Sequence, residues 1–76
     1  MTQGSIRLST IERVQAFTAA MGEFGFEVDL ASGRYIVNGK SIMGILSLDL
    51  GHPITVTAEV PEEQRERFLQ VLQSFA

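Results

Sequence analysis

At 76 residues the chain is one domain, residues 1–76, with room for a single modest core. Hydrophobic residues make up 45% of it, too many for a disordered chain, and the absence of cysteine excludes disulfides, thiol nucleophiles and thiolate metal sites. A net charge of −3 with six scattered basic residues argues against a nucleic-acid partner, and no apolar run approaches the ~18 residues that would cross a bilayer.

The first residues, Met1-Thr2-Gln3-Gly4-Ser5, lack a basic stretch leading into an apolar one, so the expected compartment is the cytoplasm. Ile6 and Leu8 alternate with Ser5, Arg7 and Ser9, which predicts a short strand. Ser9 or Thr10 is placed to cap a helix, and Ile11, Val14, Phe17, Met21 and Phe24 recur at spacings of three and four along its buried stripe. Gly22 and Gly25 mark its exit. Phe26, Val28 and Leu30 alternate with Glu27 and Asp29 as a second strand. Ser32-Gly33-Arg34 reads as a turn, Tyr35-Ile36-Val37 returns as a third strand, and Asn38-Gly39 closes the hairpin.

Ser41 to Leu50 reads as one short helix. After His52-Pro53 comes the clearest strand of all, Ile54, Val56, Ala58 and Val60 alternating with Thr55, Thr57 and Glu59. Pro61 then opens a last helix, with Glu62 and Glu63 at its positive end and Glu63 four residues ahead of Arg67. Phe68, Leu72 and Phe75, with Leu69 beside them, form its buried stripe. The order β-α-β-β-α-β-α predicts an α+β open-faced sandwich, a four-stranded antiparallel sheet with three helices on one face.

The segment Asn38 to Leu48 carries the strongest signal. It is not a phosphate-binding loop: five residues rather than four separate Gly33 from Gly39, and Arg34 to Asn38 are strand-like. At about 100° per residue, Ile45 and Leu48 share one side of the short helix, while Ile42, Met43, Leu46 and Leu50 fall on the other. So small a domain has no second layer to cover both sides. Either a loop does so, or the helix presents an apolar patch of the kind that marks an interaction site.

Lys40-Ser41-Ile42-Met43-Gly44-Ile45-Leu46-Ser47-Leu48, after Val37-Asn38, strongly resembles the regulatory-serine segment of the HPr phosphocarrier family and of its catabolite-repression HPr-like branch. The resemblance runs back without gaps to about Phe24 and, more loosely, forward to the last helix. It implies the HPr fold. It also implies an active loop before the first helix, in which a histidine takes phosphate from enzyme I of the sugar phosphotransferase system beside an arginine and a proline.

Ser9-Thr10-Ile11-Glu12-Arg13-Val14 supplies none of the three at their places. The loop is some five residues shorter than the family's, and Glu12 stands near the place of the arginine. The only histidine, His52, lies in the loop before the last strand, where a displaced phosphoacceptor and a plain loop histidine are the alternatives. The resemblance therefore points to a regulatory, protein-binding module, not an enzyme, without histidine phosphotransfer. Ser41 is its candidate phosphorylation site, and Lys40, Ile42, Met43 and Leu46 its candidate docking residues. The partners implied are a serine kinase of the HPr-kinase type or a transcriptional regulator, with no membrane, metal or cofactor. The competing readings are a degenerate phosphocarrier acting through His52, and an HPr-fold interaction domain unrelated to sugar uptake.

Overall fold

Alternation of apolar and polar side chains builds the sheet. Ile54, Val56 and Ala58 of β4 (Ile54–Ala58) are buried while Thr55 is exposed, and Val28 and Leu30 of β2 (Val28–Ser32) are buried while Asp29 is exposed. These two strands therefore offer one apolar side to the helices and one polar side to solvent. The computed structural model describes residues 1–76. In chain order β1 (Thr2–Ile6), α1 (Ile11–Met21), β2, β3 (Tyr35–Asn38), α2 (Ile42–Leu46), β4 and α3 (Glu62–Gln73) follow one another. The strands lie in the order β1-β4-β2-β3, antiparallel throughout. The expected open-faced α+β sandwich, β-α-β-β-α-β-α, is the fold observed.

Several boundaries move. β1 begins at Thr2 rather than Ser5, because Thr2–Ile6 is the stretch that pairs with Ala58–Ile54. Leu8 is buried outside the strand. β2 runs two residues later than expected, carried by the hairpin register that sets Ser32 opposite Tyr35. Gly33 takes φ +60° and Arg34 does not follow it above zero, the pattern of a two-residue II′ hairpin turn. β4 stops at Ala58, two residues early. α1 ends at Met21, so Phe24 is buried from the loop beyond it, and Ile11 at the helix start is exposed instead of joining the stripe.

Sixteen buried side chains form one core between the sheet and the helices. Aromatic rings fill its two ends. Phe17 of α1 meets Phe75 edge-on at 5.2 Å between centroids, and Phe68 of α3 lies 5.4 Å from both Phe24 and Phe26. Such edge-to-face pairs add roughly 0.5–1.5 kcal/mol each beyond the area they bury. Leu69 is half exposed, outside the α3 stripe. Arg67 pairs with Glu23 at 2.7 Å, not with Glu63, and its guanidinium stacks over Phe24. That pair reaches from α3 to the exit of α1.

Candidate functional site

The turn after β3 sets up the serine. The Asn38 side chain accepts the Lys40 amide at 2.8 Å, the Asn38 carbonyl accepts the Ser41 amide, and the Gly39 amide bonds Val28 O across to β2. Ser41, extended at φ −107° and ψ 111°, is thereby left as the N-cap of α2. Its hydroxyl accepts the Gly44 amide at 3.1 Å and its carbonyl accepts the Ile45 amide. The helix is shorter than the sequence pattern suggests. Ser47 and Leu48 close it with three-residue bonds to Gly44 and Ile45, and the Ser47 hydroxyl donates to Gly44 O at 2.6 Å. Removing the cap leaves the Gly44 amide without its partner, so Ser41→Ala should lower stability by about 1 kcal/mol, read from the urea midpoint.

α2 seats itself through one glycine and one isoleucine. A Cβ on Gly44 would stand 3.3 Å from the Val37 Cβ, so the helix lies close on β3 and any larger residue there needs Val37 to give by a few tenths of an ångström. Ile45 is fully buried, and Leu48 follows it inward just past the helix. The other side stays in solvent, with Ile42 40%, Met43 81% and Leu46 41% exposed, and Leu50 half-buried against the core. No residue from Ser41 to Leu48 is charged. Lys40 is placed differently from these three, for its ammonium donates to Phe24 O at 2.6 Å. The two cavities of the molecule lie elsewhere, one between β1 and α3 and one around Met1, Phe26 and Thr57. A surface with no concavity suits a protein partner better than a small molecule.

The start of α1 is the second place of interest. Thr10 caps it, its hydroxyl accepting the Arg13 amide at 3.1 Å. Arg13 is already engaged: its Nε donates to Arg7 O at 3.0 Å and its guanidinium stacks 5.4 Å from the Phe75 ring centroid. Glu12 sits exposed in the first turn. Ile11, which the helical spacing assigns to the core, is 59% exposed on a helix that α2 packs against. Its position at the first turn is the signal that spacing overlooks, since the start of a helix overhangs the layer beneath it. His52 is exposed, 3.4 Å from Asp49 Oδ2, while Asp49 Oδ1 accepts the Gly51 amide. No three acidic or histidine side chains gather as a metal site would require.

The family model described as the PTS HPr component phosphorylation site matches residues 13–76. The chain belongs to the PTS-HPr family. Members of the HPr family are phosphocarrier proteins of the phosphotransferase system that work through contacts with its other proteins. Among solved structures, the phosphocarrier protein HPr of Bacillus anthracis str. Ames is 31% identical. That comparison covers 93% of this chain and 90% of that one, with a TM-score of 0.71. HPr-C-His from Thermoanaerobacter tengcongensis is 24% identical over 97% and 93% of the two chains, TM-score 0.76. The histidine-containing phosphocarrier protein of a mycoplasma is 15% identical over 96% and 89%, TM-score 0.75, a likeness of fold alone. Among curated proteins none matches significantly. The HPr match takes in the whole Ser41 segment and begins at Arg13, beyond Thr10 and Glu12. No helix is long and apolar enough to cross a membrane.

Proposed function

We propose that this HPr-family chain is a regulatory, protein-binding module that has given up histidine phosphotransfer and docks its partners through the surface around Ser41. The observation that carries this reading is α2, which keeps one side in the core through Ile45 and holds Ile42, Met43 and Leu46 in solvent. A helix without charge and with Met43 at its most exposed point gains from being covered, and a flexible thioether adapts to more than one partner surface. Nothing at the start of α1 works as a phosphate carrier. Thr10 would form a stable ester, Arg13 is bound to Arg7 O and Phe75, and Glu12 repels an anion. Partners of the expected kind are a serine kinase of the HPr-kinase type and a transcriptional regulator.

Met43→Asp tests the docking surface. It should weaken capture of such a partner at least tenfold, because a carboxylate buried in an apolar contact stays unpaired. Urea unfolding should move by less than about 1 kcal/mol, as for other exposed positions. A variant that binds normally would remove this face from the function. Incubation with HPr kinase and ATP tests the serine, with HPr labelled in the same tube. A chain that remains unmodified there keeps Ser41 as a cap only and favours an HPr-fold interaction domain outside sugar uptake.

A further inference from the structure

Lys40 joins the Ser41 turn to the loop that leaves α1. Two bonds from consecutive residues hold this turn down: the Gly39 amide to Val28 O at 2.7 Å and the Lys40 ammonium to Phe24 O at 2.6 Å. The second crosses sixteen residues of sequence and lands in the loop between α1 and β2. That loop has few bonds of its own: the Gly22 amide to Thr18 O, the Glu23 amide to Ala20 O and the Phe24 amide to Met21 O. Its other ties are to α3, through Glu23 with Arg67 and through Phe24 and Phe26 on Phe68. The lysine is half-buried, so its ammonium has exchanged part of its water for one neutral carbonyl.

From this arrangement we infer that Lys40 is the arm of a switch: a phosphate on Ser41 draws its ammonium away from Phe24 O and releases the Gly22–Glu27 loop. The inference rests on the proposed modification of Ser41. A phosphoserine carries nearly two negative charges beside the lysine's own backbone, within reach of its four-carbon stem. An ammonium bonds an anion more strongly than a neutral carbonyl, and both sites are partly shielded from solvent. Two of the other basic side chains are already engaged, Arg13 by Arg7 O and Phe75 and Arg67 by Glu23. Phe24 O then turns to water, and the loop is left with its short backbone bonds and its ties to α3, without the one that held it to the Ser41 turn. The state of one serine is in this way written into a loop that shares no residue with α2, and into the contacts that loop makes with α3.

The test installs phosphoserine at Ser41 during synthesis, so its outcome is independent of whether any kinase or partner exists. The Phe24 carbonyl carbon, observed by NMR, reads the hydrogen bond, and amide exchange at Glu23 and Phe24 reads the loop. In Lys40→Met the bond is absent, which sets the released value for both. Phosphoserine in the wild-type chain should move the Phe24 carbonyl to that released value and speed exchange at Glu23 and Phe24 by about tenfold. In the Lys40→Met background it should add nothing. Lys40→Gln serves as a second variant, since its neutral amide is not drawn to the phosphate and should also abolish the effect. A phosphorylated wild-type chain whose Phe24 carbonyl stays at its unmodified value would overturn the switch. An equal acceleration in the two Lys40 variants would overturn it as well.

Discussion

Incubated with enzyme I and labelled phosphoenolpyruvate, the chain should take up no acid-labile phosphate, while HPr in a parallel reaction is labelled to completion. Transfer needs a nucleophile that is neutral near pH 7 and gives the phosphate up again, which is why imidazole suits the task. At the start of α1 the side chains on offer are a hydroxyl, Thr10, already accepting a backbone amide, a carboxylate, Glu12, and a guanidinium, Arg13, bound elsewhere. The one imidazole, His52, is in a different loop beside the carboxylate of Asp49, which would repel the incoming anion. Acid-labile label that disappears in His52→Ala would sink this prediction and restore the phosphocarrier reading.

Phe68→Ala should cost about 3–5 kcal/mol, the loss usual for a fully buried aromatic ring. The ring is inaccessible to solvent and touches Phe24 and Phe26, so its removal empties the space between α3 and the α1–β2 loop. For a domain this small, stability falls at the lower end of the usual ~5–15 kcal/mol. The variant should therefore be substantially unfolded at 37 °C, visible in its circular dichroism and its urea midpoint. Phe68→Leu, which keeps most of the volume, should lose far less. An alanine variant within 1 kcal/mol of the parent would mean that the three rings do not hold α3 down.

What is legible in the sequence follows from what repeats. Ile54 to Ala58 alternates strictly, which places the strand to within two residues, and angle alone assigns Ile45 and Met43 to opposite sides of α2. The Thr2–Gly4 part of β1 leaves no such trace. Thr, Gln and Gly carry no apolar signal, and the segment is a strand only because Ala58 to Val56 lies beside it. Spacing gives Arg67 the wrong acid for a related reason. The four-residue step to Glu63 is local, whereas Glu23 arrives through the fold from 44 residues away. The Ser41 cap is readable because its partner amide, Gly44, is three residues on. The Lys40 bond to Phe24 is not, since no spacing rule links a lysine to a distant main-chain carbonyl.

The strand order has a consequence for the chain as it is made. β4, the last of these four strands to leave the ribosome, is the one that lies between β1 and β2. Until Ala58 has emerged, the only sheet pairing open to the nascent chain is the β2–β3 hairpin, and β1 has no neighbour at all. Even then the end of β1 is tied by the bond from the Arg7 amide to Phe75 O, sixty-eight residues further along the chain than Arg7 itself. Contacts between such distant segments form slowly, because the intervening loop must close first. During elongation, Ile6, Leu8, Val14 and Phe17 therefore stay without the core they are built for. That interval, rather than the finished fold, is when this small protein is most open to aggregation and to chaperones.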